Sequence, residues 1–240
     1  MQLVNGWSTF VQALFPPTCV LCGGAGQLPD FDLCVDCQSE LPVNRPACER
    51  CAEPLQGNPG SAMLCGGCLR RKPHFQLSHC AYRYAYPIDH LVRALKYQGA
   101  VEHGRVLGGL LARSLAATRT AGPWPSCIVP MPLAAQRFRE RGYNQAIELG
   151  LALGRQLGIP LRTDLVMRNR QTLEQVTLPR KARRKNVRGA FSVTAKFPVT
   201  HVAVLDDVVT TGSTVNEVAR TLRRAGARNI EIWAVAHAGS

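Results

Sequence analysis

Acidic residues are scarce: 16 Asp/Glu stand against 29 Lys/Arg, a formal net charge of +13. A chain so poor in acids is suited to anionic partners, which means nucleotides, sugar phosphates or nucleic acid. Long apolar runs are missing too. None reaches the roughly 18 residues that a membrane-spanning helix needs, so no membrane insertion is expected. The opening stretch, MQLVNGWSTFVQALFPP, lacks the basic start and small-residue cleavage site of a secretory leader. It reads instead as a short amphipathic helix stopped by Pro16-Pro17, and a cytoplasmic location is expected. No Gly-Lys-Ser/Thr triplet occurs, which excludes a Walker-type phosphate loop. Aromatic residues make up only 6% of the chain.

What remains is a globular composition, with 46% hydrophobic and 19% charged residues over 240 positions. That length buries one medium domain and one small one. The charge is uneven. Residues 1–75 hold 5 Lys/Arg against 6 Asp/Glu, and residues 76–240 hold 24 against 10. The phosphate partner is therefore expected on the later part.

Eight of the ten cysteines form four Cys-x2-Cys pairs: Cys19/Cys22, Cys34/Cys37, Cys48/Cys51 and Cys65/Cys68. Such a turn aims two thiolates at one ion, and two turns close a tetrahedron. Four turns make two structural zinc sites. In a reducing compartment metal wins over disulfides. Large apolar residues are few here, so zinc must supply much of the folding free energy. Pairing the turns in sequence or crossing them both satisfies the count, and sequential pairing is the expectation. Cys80 and Cys127 read as small core residues. His74 and His79 are surplus to the two sites and read as solvent or packing residues.

Beyond the cysteines, strand and helix patterns alternate. Strands are expected at 81–86, 127–132, 202–207 and 230–237, and helices at 88–97, 106–117, 143–158 and 213–226. Alternation of this kind predicts an α/β fold with a mainly parallel sheet covered on both faces. The expected division is a zinc-ribbon domain with its N-terminal helix over 1–72, a linker over 73–79, and the α/β domain over 80–240.

The densest chemical signal is VAVLDDVVTTGSTVNEV, residues 202–218. An apolar strand ends in two acids, and a Thr/Gly/Ser turn leads into a helix. Ligands of open parallel sheets bind at the carboxyl ends of strands. A helix N-terminus with free N–H groups binds anions. Thr210, Thr211, Gly212, Ser213 and Thr214 are thus expected to cradle a monophosphate. Asp206 and Asp207 sit where they can accept hydrogen bonds from ribose hydroxyls. The plainer alternative is an acidic strand end with Ser213 as a helix cap. Acids followed by Thr-Thr-Gly-Ser-Thr favour a ribose 5-phosphate pocket.

VLDDVVTTGST resembles the motif with which type I phosphoribosyltransferases bind phosphoribosyl diphosphate (PRPP). The likeness to one branch of them, the ComF/GntX family of competence-associated proteins, runs through nearly the whole chain. It takes in the four cysteine pairs, ALKYQG (94–99), VPMPLAAQRFRERGYNQA (129–146) and RQTLEQVTLPRKARRKNVRGAF (170–191). The resemblance implies a Rossmann-like type I phosphoribosyltransferase fold, with a diphosphate loop, a flexible loop and a hood, behind a double zinc ribbon. It implies PRPP with Mg²⁺ as ligand and transfer at C1 of the ribose to an acceptor that the sequence leaves unnamed. It also implies a part in DNA uptake, natural transformation or the use of DNA as nutrient. A non-catalytic alternative is a PRPP-sensing adaptor whose ribbons dock a DNA-uptake helicase.

The other matching stretches make physical sense. The loop after Pro132 brings Arg137, Arg139 and Arg141 toward the phosphate turn, and guanidinium groups pair with phosphate oxygens through two bonds. Arg137 and Arg141, with Arg183, are the expected diphosphate ligands. The basic segment from Arg180 to Arg188 reads as a lid that closes over the ligand. The competing reading is a patch for single-stranded DNA, but Phe191 is the only aromatic residue close by that could stack on a base.

Overall fold

The computed structural model describes residues 16–27, 29–57, 63–119, 122–170, 187–194 and 200–239. The N-terminal helix expected over the first fifteen residues lies outside them, as do Arg183 and most of the basic segment before Arg188. Two compact units divide the chain, Met1–Pro42 and Val43–Ser240.

The first unit is one zinc ribbon. Cys19 N–H donates to Gly24 O and Gly23 N–H donates back to Cys19 O, a tight knuckle that needs the positive φ of Gly23 (+73°). Short helix α1 (Val35–Ser39) follows, capped by the Cys34 sulfur, which accepts from Cys37 N–H. Only a few apolar residues, among them Phe31 and Leu33, are buried here.

The second ribbon repeats this knuckle inside the larger unit. Cys48 N–H donates to Glu53 O, Ala52 N–H donates to Cys48 O, and Ala52 takes the left-handed conformation at φ +59°. Helix α2 (Gly66–Arg70) is capped by Cys65 in the same way. Ala52 belongs to the main hydrophobic core, and Cys51 packs against it. Asn44 N–H donates to Ala81 O, and the Asn44 side chain donates to Ala52 O. Phe75 is buried in that core, and the Gln76 backbone and side chain bond to Ile230.

The rest of the larger unit is a layered α/β domain. In chain order it runs β1 (Leu77–Arg83), α3 (Ile88–Tyr97), α4 (Glu102–Thr118), β2 (Cys127–Pro130), α5 (Ala135–Arg141), α6 (Gln145–Leu157), β3 (Val166–Arg168), β4 (Phe191–Val193), β5 (His201–Val209), α7 (Ser213–Arg224) and β6 (Asn229–His237). Four strands form a parallel sheet in the order β1-β6-β5-β2. β3 and β4 form a separate antiparallel pair.

Strand alternation sorts side chains to the two faces. Val202, Val204, Ile230 and Ile232 pack with Val215, Val218 and Leu222 of α7 and with Phe191 of β4. Helices α3, α4 and α6 supply buried leucines to the opposite layer. There α4 and α6 approach closely, since a Cβ added at Gly108 would lie 2.4 Å from Leu149 O and one at Gly104 would lie 2.7 Å from Glu148 Cβ.

The parallel sheet and all four anticipated helices are present. β1 begins at Leu77, within the tract read as a linker, because Phe75 and Gln76 already tie the chain to β6. α4 begins four residues before the apolar pattern does. α5 forms where a loop was expected; it buries no residue, so its sequence has no apolar stripe to announce it. The β3–β4 pair was not anticipated, since three residues per strand carry no alternation to read.

Candidate functional site

The cysteines gather as Cys19, Cys22, Cys34, Cys37 and as Cys48, Cys51, Cys65, Cys68, each set with its ligand atoms within 4.8 Å of one another. Pairing is sequential. Cys22 Sγ and Cys34 Sγ are 3.8 Å apart, and Cys51 Sγ and Cys65 Sγ 3.5 Å. Thiolates on a tetrahedral zinc at about 2.3 Å stand roughly 3.8 Å from each other, so both sets fit the ion. N–H groups of Cys37, Cys65 and Cys68 donate to sulfur, which suits thiolates that carry charge. Four protein ligands close each sphere, as befits structural sites.

β5 carries the diacid and hands the chain to the phosphate turn. Gly212 is the N-cap of α7 with φ +67°, and no side chain caps the helix. Ser213 is the first helical residue, so the alternative of a Ser213 cap is not realised. Its hydroxyl pairs with Thr211 Oγ1 at 2.9 Å. Asn216, one turn in, accepts from His74 N–H at 2.7 Å. α7 thus starts without a side-chain cap at the carboxyl end of a central strand, with Thr210 and Thr211 before it and Thr214 in its first turn, a geometry that suits an anion.

Asp206 and Asp207 are neighbours on one strand and so turn to opposite faces of the sheet. Asp207 is only 3% exposed and lies 2.7 Å from Lys96 Nζ of α3. Burial works against the Lys96 charge, but Asp207 at its side, with Asp206 behind, turns the net shift upward. Burial, and then the adjoining Asp207 charge, pushes Asp206 up to about 8. Its Oδ1 accepts from Asp207 N–H at 2.9 Å. Asp207 is therefore paired with a half-buried lysine, while burial and the neighbouring charge favour the protonated form of Asp206.

A cleft of about 260 Å³ has Lys96, Tyr97, Arg137, Arg141 and Tyr143 in its walls. Arg141 donates to Gln145 Oε1 and lies over the Tyr97 ring at 5.7 Å. Arg137 and Arg141 thus share a cavity with the lysine that holds the diacid. Arg168, at the end of β3, is a residue the sequence did not single out. Burial lowers its pKa, with the Arg137 charge adding to that and the Asp206 charge opposing it. Arg183 lies outside the described residues. A second, larger cleft of about 1120 Å³ opens at Thr210–Ser213 and is walled on one side by the second ribbon.

His79 and the two unpaired cysteines take no part. His79 bonds Ser114 Oγ at 2.9 Å and burial lowers its pKa to about 4. Cys80 and Cys127 are buried core residues.

Two families match the chain, the double zinc ribbon domain over residues 10–82 and the phosphoribosyl transferase domain over residues 144–240. Competence protein F of Haemophilus influenzae is 36% identical over 225 residues, 92% of this chain and 96% of that protein. DNA utilization protein YhgH of Escherichia coli K12 is 34% identical over 220 residues, 91% of this chain and 96% of that protein. Among solved structures, glutamine PRPP amidotransferase from B. subtilis matches 57% of this chain and 26% of its own, at 18% identity and a TM-score of 0.37. Adenine phosphoribosyltransferase from Leishmania donovani matches 60% of this chain and 56% of its own, at 14% identity and a TM-score of 0.36. With two relatives above 30% identity along nearly their whole length, a double zinc ribbon in front and a phosphoribosyltransferase domain behind, the chain belongs to the ComF/GntX family of competence-associated proteins.

Proposed function

We propose that this protein binds PRPP with Mg²⁺ and transfers the phosphoribosyl group, in the service of DNA use or uptake. The observation that carries this is the start of α7, without a side-chain cap, beside two acids at the end of β5. Thr210 to Thr214 receive the 5-phosphate. Asp206 and Asp207 receive the ribose hydroxyls, Asp207 from within its ion pair with Lys96. Arg137 and Arg141 take the leaving diphosphate, and Arg183 joins them. Mg²⁺ prefers ligand phosphates and few protein oxygens, so the acidic pair and the diphosphate suffice for it.

In the reaction the bond from C1 to the diphosphate oxygen breaks and its electrons leave with the diphosphate. A nucleophile bonds to C1 and gives its proton to water or a base. The chain's contribution is to orient the sugar, pair the leaving charge with guanidinium groups and exclude water. Relatives named for competence and DNA utilization support a role near DNA handling, and the partners we propose are single-stranded DNA and an uptake helicase in the cytoplasm.

Calorimetry with PRPP and Mg²⁺ tests the pocket. Binding by the wild type, lost in Asp206→Asn plus Asp207→Asn while zinc content holds, is the expected result. Absence of PRPP binding by the wild type rejects the reading. Release of diphosphate in the presence of candidate acceptors then separates a transferase from a protein that only senses PRPP.

A further inference from the structure

The larger cleft holds more positive charge than one 5-phosphate requires. Arg70, Arg71 and Lys72 enter it from the second ribbon and its tail, Arg220 and Arg224 from α7, and Arg188 from the turn before β4. Two acids share it, and both have partners. Glu217 accepts from Arg220 at 2.9 Å and from Gly189 N–H at 2.7 Å. Glu53 stands 3.7 Å from His237. Among the described residues, Arg70, Arg71, Lys72, Arg188 and Arg224 form no ion pair and all are exposed. Like charges gathered in one cleft repel one another, and nothing in the fold gains from holding them there. The repulsion also registers on His74, whose pKa is lowered by burial and then by Arg220, Arg223 and Arg71.

These cations share the cleft with the turn. Thr210, Thr211, Gly212 and Ser213 line it, whereas Asp206 and Asp207 do not. A ligand whose phosphate sits in the turn and that continues along the cleft brings further negative charge to the cations. We propose that the second zinc ribbon forms one wall of an oligophosphate site, in which a chain of two or more phosphates runs from the turn at Thr210–Ser213 to Arg71, Lys72 and Arg224. The inference rests on the reading of the turn as a phosphate cradle. It gives the two ribbons different duties, because among the described residues none of the first ribbon's lines this cleft.

Inorganic phosphate and tripolyphosphate, titrated without Mg²⁺ into the full chain at fixed ionic strength, test it. Charge-assisted contacts to the additional phosphates should make tripolyphosphate bind more tightly by about tenfold or more. The exposed-site variant Arg71→Gln/Lys72→Gln/Arg224→Gln should abolish that gain and keep phosphate binding. Arg105→Gln/Arg113→Gln/Arg155→Gln, which removes three exposed charges outside the cleft, should preserve the gain and so separate the site from general attraction to a basic protein. Hydrogen exchange should slow at 209–216 with phosphate, and at both 209–216 and 66–74 with tripolyphosphate, with zinc content unchanged. Equal affinity for the two anions, or equal losses in the two variants, overturns the oligophosphate site while phosphate binding still upholds the turn. Failure of both anions to bind overturns the turn and the inference together.

Discussion

Lys96 offers the sharpest test of how the site is held. Its ammonium lies 2.7 Å from Asp207 with side-chain exposures of 20% and 4%. At that distance Coulomb attraction amounts to about 6 kcal/mol for an effective dielectric constant near 20. Much of it is offset by the cost of taking both ions out of water, but removing one partner alone strands the other, at a cost of about 3–5 kcal/mol. Lys96→Met keeps the aliphatic stem and removes only the charge. Denaturant unfolding followed by tryptophan fluorescence should show a loss of that size at pH 8. The loss should shrink as pH falls. An unpaired buried carboxylate costs less once it is neutral, so acid relieves the variant. Asp207→Asn on top of Lys96→Met should restore part of the stability, giving a non-additive cycle. A loss that is the same at pH 5 and pH 8, together with additive variants, would refute the claim that a buried charge pair holds this end of β5.

Other outcomes follow from the same structure. Metal analysis should give two zinc ions per chain, and one after either Cys19→Ser or Cys65→Ser; the latter should also disturb the near-UV signal of the sheet domain, since Ala52 and Cys51 of the second ribbon pack in its core. If bound ribose favours the ionised form of Asp206, PRPP affinity should rise with pH up to about 8. Calorimetry in buffers of different ionisation heat should then show proton release that Asp206→Asn removes, and release unchanged in that variant would assign the proton elsewhere. Before ligand arrives, the raised Asp206 pKa has the opposite sign for stability: its contribution is greatest below the unfolded carboxylate range and is lost as pH rises through 8. Gly108→Ala should cost about 1–3 kcal/mol, because α4 and α6 must part to admit a methyl group 2.4 Å from Leu149 O; urea unfolding measures it.

The strand, turn and helix over residues 202–218 were legible because their signal is local. An apolar strand, two acids and a Thr-Gly-Ser turn occupy consecutive positions, and the structure keeps them consecutive along β5 and into α7. The zinc sites were legible for the same reason, the spacing within each pair. Lys96 was not. In the sequence Lys96 reads as a helix-surface lysine, solvated or reaching for a phosphate, and its partner Asp207 in β5 lies far along the chain. Arg168 hides likewise on a three-residue strand. The place of the second ribbon was equally obscure: its cysteine spacing matches that of the first, and what joins it to the sheet is a scatter of single contacts at Ala52, Asn44 and Phe75.

The order of strands has a consequence for synthesis on the ribosome. Within the described four-stranded sheet β1 has β6 as its strand neighbour, in a register that sets Leu77 beside Glu231 and Cys80 beside Ala234. A nascent chain therefore carries β1 unpaired while some 150 further residues are added. Helices α3 and α4 can form meanwhile from local contacts, but the sheet has no centre until residues 229–237 emerge. Long-range pairing of this kind is slow and leaves apolar edges open to other chains. The second ribbon, anchored at Ala81 and in the core that β6 completes, shares that wait. Loading its zinc early would shorten the unprotected interval only for the knuckles, so the quantity that governs yield is how fast β6 finds β1 and β5 once translation has passed it.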